Sequence, residues 1–572
     1  SGTAGKQLYV AVSIATLPAS GTVAVVLNNS TGAKAMTWSR TSNVLTIVEA
    51  AHGRRAGDAI TNFGANVLGC WVIQSVTDAN TYVIANDSRS NSSGSGTVFG
   101  VRNITLKNFT LNGNMSNHTT TPDGHTAMGA VLNSISDYTI ENVVGLDCQK
   151  YVFYITHDSG RKIRKVSFNT SSDGIHVSSP SQGGSVTDIS GKCGDNMLAY
   201  GVADYAAYMI NYPTEQGFHD CVIGANRGIY PSQCFNPIRY YGSANWFVGD
   251  GTVDDVIGTV TTNVGITIKG DTVVVGAGSE QNARNIKHSN ISLKYTVAAG
   301  FSIMAIDMTG TVFGIEMDNF DVTEGPAGTG CIYTTQPVKS LTVSRPRTPD
   351  LYTAAGARRQ WSGVAIVTAQ NTNGAFETLT CKDWQRFKSE NSVNNPYGVY
   401  VVNSTNSIKN LIFEGIDVED VSTSGTRSLL CRNGGTIDRV SYHNMATSGW
   451  EWFRHSTSGA VVGKRVEIGQ CRALKGANAG VLYLTSYDFN PPGEFIADGV
   501  SGDATQLFRN GANTTPVVNL RLRAIDAAIT ALAAPVTGPL FRAWAPDVSI
   551  DLSLLSRAGV GQLALSTGNG TI

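Results

Sequence analysis

The sequence predicts an all-β protein: a right-handed, single-stranded parallel β-helix with a small N-terminal β-domain and a short C-terminal β cap. Three observations point there. First, one short pattern recurs, as RNITLKNFTL at 102–111, DYTIENVVGL at 137–146, RNIKHSNISL at 284–293 and KNLIFEGIDV at 409–418. Each copy alternates apolar or β-branched side chains and then turns on polar residues or glycine, the period of a strand and not of a helix. Second, the copies return at a drifting interval. The anchors Ile104, Ile140, Val166, Ile189, Val222 and Phe247 lie 36, 26, 23, 33 and 25 residues apart. Ile286, Ile315, Leu341, Leu379, Leu411, Val440 and Val466 continue at 29, 26, 38, 32, 29 and 26. That is the signature of stacked coils. Third, only 15% of residues are charged while Gly numbers 62, a composition of strand and turn formers that suits such a stack.

Taken in order, residues 1–36 hold two alternating runs, KQLYVAVSIATL and GTVAVVLNNS, expected to be strands leading into the body. Residues 37–99 read as short strands between Asn, Gly and Asp turns, closing in a flexible NSSGSG, and predict a small antiparallel β-barrel or sandwich. The solenoid then runs over 100–519. Residues 520–572 alternate again and are expected to cap the last coil, whose open edge would otherwise invite aggregation. One segment reads as helix, AIDAAITALAA at 524–534, stopped by Pro535.

Composition also excludes. Net charge is −1 with acids and bases intermixed, so the basic stripe of a nucleic-acid binder is missing. No apolar run has the length of a membrane span. The nine cysteines are an odd number without a CxxC pair, and Cys148, Cys193, Cys221, Cys381 and Cys471 fall at inward positions of repeats, as small apolar core residues. Neither a metal site nor a cofactor loop is legible, so the expectation is no cofactor and no metal. The start, Ser-Gly-Thr, reads as trimmed.

The chemistry-bearing stretch lies in consecutive coils. SSDGIHV at 171–177 and CGDNMLAYG at 193–201 place Asp173 and Asp195 22 residues apart, about one short coil. Stacked on one face, their carboxylates would approach within roughly 5–7 Å, the range of paired glycosidic acids. One of the two should then hold its proton near neutrality. Asp-Gly and Gly-Asp-Asn are also ordinary turn formers at coil corners. Next come GFHDCVIGANRG at 217–228 and NPIRYYG at 236–242, and the stretch is dense in aromatic side chains on which sugar rings can stack. Tyr200, Tyr205, Tyr240, Tyr241 and Trp246 are the candidate substrate contacts, and Glu215 is a reserve acid or base. A second cluster of acid and aromatic residues, WEWFRH, occupies 450–455.

In this order SSDG, GDN, GFHDCVIG and PIRYY resemble the polygalacturonase and rhamnogalacturonase family of β-helix glycoside hydrolases. The resemblance implies that Asp173 and Asp195 are the acidic pair, with Asp195 protonating the leaving oxygen. It also implies that His219 is the coil histidine and Arg239 the arginine that clamps the substrate. The sequence departs from the family at Asn196, Asp220 and Tyr241, where that pattern has Asp, Gly and Lys. Asn196 cannot be a base, which leaves water activation to Asp173 or to another mechanism. Residues 37–99, through His52-Gly53, Gly57-Asp58 and Val76-Thr77-Asp78-Ala79-Asn80-Thr81, look like a small β-domain of bacteriophage structural proteins. Together the two resemblances imply a bacteriophage tailspike. That would be a homotrimer on the virion tail, attached to tail or baseplate through a preceding segment and acting outside the cell on a bacterial surface polysaccharide. The activity the resemblance implies first is that of an endo-acting glycoside hydrolase, with a β-eliminating polysaccharide lyase and a non-enzymatic glycan-binding fibre as the alternatives.

Overall fold

The computed structural model describes residues 33–114, 128–202, 216–270 and 282–347 with short gaps, then 376–383, 408–416, 438–445 and 465–471; further strands are described by their backbone alone. Among the described residues there are strands and no helix. The chain divides into two compact units, Ser1–Ser289 with Met308–Thr311, and Asn290–Asp307 with Val312–Ile572.

In the first unit, two parallel ladders make a β-helix. One stacks Ile104–Asn112, Thr139–Leu146, Arg161–Thr170, Gly184–Cys193, Cys221–Gln233 and Phe247–Val260. The other stacks Ala130–Ser136, Phe153–Ser159, Ile175–Gln182, Asn196–Gly201, Asn236–Gly242 and Val264–Gly270. Alternation decides which side chains go inside. Ile175, Val177, Leu198, Tyr200, Ile238, Tyr240, Ile266 and Ile268 are all fully buried between the ladders. Each aliphatic chain buried this way contributes about 1.5–3 kcal/mol. The residues between them, His176, Ala199, Arg239 and Thr267, form one row on the outer face.

The first ladder bends at a fixed place in every coil. Asn108, Asn142, Lys165, Asp188, Gly228 and Asp255 stack there in register, all with positive φ. Asn, Asp and Gly tolerate this left-handed conformation best, which explains the Asn, Asp or Gly that splits most repeats in two.

Three short strands near the N-terminus belong to the β-helix. Leu8–Val10 pairs with Ile104–Leu106, Ile14–Thr16 with Thr110–Asn112, and Val25–Leu27 with Ala130–Leu132, all parallel. The small domain is therefore an insertion after the first coil and does not precede the solenoid. Its strands run from Lys34–Thr41 to Ser92–Phe99, in the order Gly69–Val72, Ala59–Phe63, Ser92–Phe99, Lys34–Thr41, Val44–Val48, Thr81–Ala85 and Ser75–Val76, paired antiparallel. Trp38, Leu45, Ile47, Ile60, Trp71, Tyr82 and Val98 are among the residues of its core. Ser42 and Asn43, both at positive φ, make the two-residue turn of its first hairpin. The NSSGSG run is strand and not a flexible link: Ser92–Val98 pairs antiparallel with Lys34–Arg40. The glycines are what allow it, since a Cβ on Gly96 would sit 2.3 Å from the Phe63 carbonyl oxygen and one on Gly94 would sit 3.1 Å from the Trp38 ring.

In the second unit the same architecture recurs by itself. Val312–Glu324, Ser340–Pro346, Phe376–Lys382, Ile408–Glu414, Thr436–His443 and Val461–Gly469 form a parallel ladder. Leu341, Val343, Leu379, Cys381, Leu411, Phe413, Val440 and Tyr442 fill its inner face. The left-handed corner returns at Asn319, Arg345, Asp383, Gly415 and Asn444. Cys148, Cys193, Cys221, Cys381 and Cys471 are buried and free, as their inward positions predict. The helix expected from 524 fails where it is described: Asn519–Ala528 is a strand paired parallel with Glu494–Asp503, and residues 529–534 lie outside the described residues. Ala-rich helix propensity is a weak prior, and ladder pairing overrides it here. Val548–Ile550 adds a further parallel strand on Leu520–Leu522, and most of 529–572 lies outside the described residues.

Candidate active site

The site is built where strands of the second ladder begin. Ile175 pairs with Leu198, so one coil here is 23 residues and counting back places Asp173 opposite Asn196, not opposite Asp195. That one-residue difference sets the chemistry. The Asn196 backbone N–H donates to Asp173 Oδ1 at 2.9 Å, and its side-chain amide donates to the same oxygen at 3.1 Å. Asp173 Oδ2 lies 3.0 Å from His176 Nδ1. Asp173 is 3% exposed, with both oxygens engaged by protein groups. It is therefore a held carboxylate, not one that faces water.

His176 follows Asp173 by three residues because the chain turns at Gly174 and enters the strand. Its ring stacks on Tyr151 at 4.2 Å and 22°, beside Tyr154 and Tyr241. His176 Nδ1–H donates to the Asp173 carboxylate, which fixes the ring's orientation. Sequence reading missed this histidine, although the signal was present in Asp-Gly-Ile-His.

Asp195 stands beside this held pair. Its side chain is 44% exposed, open on one side and crowded by the coil stack on the other, and Oδ1 is 3.9 Å from Arg239 Nη1. Burial pushes its carboxyl up to about 6 and the Asp173 carboxylate pushes the same way, while Arg239, His176 and Lys150 pull it down. Asp173 and Asp195 are thus unequal, one held by Asn196 and His176 and the other half-open. Arg239 also lies over the Tyr241 ring, 4.4 Å from its centroid. Register puts Arg239 in the same outer row as His176, on either side of Ala199 in the strand that Asn196 begins.

The other predicted residues fall elsewhere. His219, 3% exposed, packs against Trp246 with ring centroids 4.6 Å apart. It forms a second cluster, where Asp220 accepts from the Phe247 N–H at 2.9 Å and pairs with Arg284 at 3.1 Å. Tyr200 and Tyr240 are not substrate contacts. Both point inward and are fully buried, their rings stacked 6.0 Å apart, with hydroxyls bonded to Asn226 and His288. Alternation places them there, because each follows an outward residue, Ala199 or Arg239. Tyr205 and Glu215 lie outside the described residues, as do the side chains of 450–455. Among the described residues no cluster of His, Cys, Asp and Glu is arranged to hold a metal. An open apolar groove of about 850 Å³ on the small domain, lined by Met36, Val48, Phe63 and Gly96 among others, carries no titratable side chain.

Fold and site together define a parallel β-helix protein with an inserted small β-domain and a cluster of Asp173, His176, Asp195 and Arg239 at the starts of one ladder's strands. No family model matches the chain, and no curated protein matches it.

Proposed function

We propose that this chain is a polysaccharide-cleaving β-helix of the tailspike kind, acting as an endo-glycoside hydrolase on a bacterial surface polysaccharide. The observation that carries the reading is Asp195: a half-open carboxyl with its pKa near 6, set beside a buried carboxylate and an arginine. Such a group still holds a proton close to neutrality and can give it to a leaving glycosidic oxygen. Asp173 then acts through its neighbours. Its negative charge raises the proton affinity of Asp195, and its contact with His176 holds that ring against Tyr151. Arg239 and Tyr241, stacked and partly exposed, offer a cation and an aromatic face to a sugar ring. Trimeric assembly and a place on the virion tail belong to the same reading and rest on the same sequence resemblance.

Incubation with capsule or exopolysaccharide from a susceptible host, followed by mass spectrometry, tests it. Fragments heavier by one water per cut support the hydrolase. Unsaturated, ultraviolet-absorbing fragments mark a lyase, and retention of an intact polysaccharide marks a binding fibre. Either of the last two outcomes removes the general-acid role from Asp195.

A further inference from the structure

The small domain reads in sequence as a small β-barrel or sandwich of its own, yet its contacts run to the segment that carries His219. It docks on the outer face of the β-helix through a seam of buried polar groups. The Ala59 N–H donates to Ser136 Oγ at 2.8 Å, and Ser159 Oγ donates to the Gly57 carbonyl at 2.8 Å. Thr61 Oγ1 meets Ser134 Oγ at 2.7 Å and His157 Nδ1 at 2.8 Å. On its other side His157 Nε2–H donates to the Trp71 carbonyl at 3.1 Å. Ser134, His157 and Thr61 are each 2% exposed or less. Groups buried this deeply must keep their partners, because an unmade hydrogen bond there costs its full desolvation.

The same sheet takes in a strand from far along the chain. Gln216–Gly217 pairs parallel with Gly69–Cys70, extending the edge of the small domain. Two residues later comes His219, and at Cys221 the chain is back in the first ladder of the β-helix. The fit at Gly217 is close: its φ is +113°, and a Cβ there would lie 1.8 Å from the Cys70 carbonyl oxygen and 3.0 Å from the Trp71 ring. Only glycine satisfies both conditions at once.

From this geometry we infer that the small domain is a structural part of the His219–Trp246 cluster. Its strand Gly69–Val72 clamps the segment that delivers His219 to Trp246, and Gly217 is the positioning residue of that clamp. The inference does not rest on the glycan reading, since it concerns where a segment is held and not what the site cleaves. The coupling has a direct line as well: Trp71 carries both the carbonyl that accepts from His157 and the ring that faces Gly217.

The test uses the full chain and two readouts. Carbethoxylation of histidines, followed by peptide mass spectrometry, reports on His219 itself, with His288, buried in the β-helix core, as internal control. In Gly217→Val, His219 is expected to react at least about tenfold faster than in the parent chain while His288 stays unreactive. An unchanged His219 rate in a folded Gly217→Val protein overturns the clamp. Should His288 react as well, the variant has lost its core, and hydrogen exchange on the parent chain decides instead. Exchange of the 216–217 amides together with those of 69–72, as one protected unit, supports the clamp. Exchange of 216–217 at least about tenfold faster than 69–72 overturns it.

Discussion

Two aspartate–arginine pairs lie in the same part of the β-helix, and they do opposite things. Asp158 and Arg161 meet inside at 2.8 Å, both side chains without exposure. Tyr138 donates to the same carboxylate at 2.9 Å, while Arg161 donates to Ser181 Oγ and to the Ile223 carbonyl and lies over the Tyr200 ring. Asp195 and Arg239 meet outside at 3.9 Å, with 44% and 20% exposure. The inner pair is tight, dry and braced by hydrogen bonds, so its charges are structural. The outer pair is loose, and a second carboxylate presses on it, so Asp195 is free to exchange its proton. An arginine beside an aspartate does not by itself mark either a brace or a site. Distance, water and the next nearest charge decide.

The comparison breaks hardest at the inner pair. Asp158→Asn keeps shape and leaves Arg161 as an uncompensated buried cation, an error that typically costs about 3–5 kcal/mol. We expect thermal melting to drop sharply or soluble protein to be lost. Asp195→Asn, at an open position, is expected to stay within about 0.5 kcal/mol of the parent. Melting curves that rank the two variants the other way would show that the outer pair is the structural one.

The outer pair answers in activity instead. Asp195→Asn removes the proton donor and is expected to slow glycan cleavage by about 10²–10⁴, with binding of the polysaccharide kept. The parent rate should fall as pH rises through about 6, because Asp195 must be protonated to act. In Asp173→Asn the neighbouring negative charge is gone, so the falling limb moves to lower pH. An alkaline limb that stays in place in Asp173→Asn would separate the two carboxylates and remove Asp173 from the site.

The same contrast shows what was legible in the sequence. The ladders were, because alternation, turn residues and the drifting period are local and repeat many times. Asp173 and Asp195 could be singled out by their spacing and Arg239 by the family resemblance, yet their roles could not. A coil of 23 residues where 22 was counted put Asn196, not Asp195, against Asp173, and so made one acid a held group and the other a free one. Alternation was visible around Tyr200 and Tyr240, but a dense aromatic stretch drew attention to composition ahead of parity, and both rings proved to be core. The contact between Gly217 and Cys70, almost 150 residues apart in sequence, left no local mark except a glycine. The NSSGSG run looks like a flexible link because Ser and Gly favour such links in general, while here Gly94 and Gly96 admit the Trp38 ring and the Phe63 backbone.

The smallest effect concerns the docking seam, which extends the contrast from aspartate to histidine. Burial drives His157 down to about 3, its hydrogen bond to the Trp71 carbonyl pulls it up, and His219 pushes it further down. In the unfolded chain its value returns to about 6.5. Below 6.5 the unfolded chain therefore takes up a proton that the folded seam refuses. The stability this group contributes is complete above 6.5 and is lost progressively as pH falls toward 3. The slope approaches about 1.4 kcal/mol per pH unit, or about 2 kcal/mol between 6.5 and 5. Denaturant unfolding of the small domain, followed through its core tryptophans, should show this acid sensitivity in the parent chain and lose most of it in His157→Gln. Equal sensitivity in both would mean that the seam opens for another reason, with carboxylates such as Asp58, itself raised by burial, next in line.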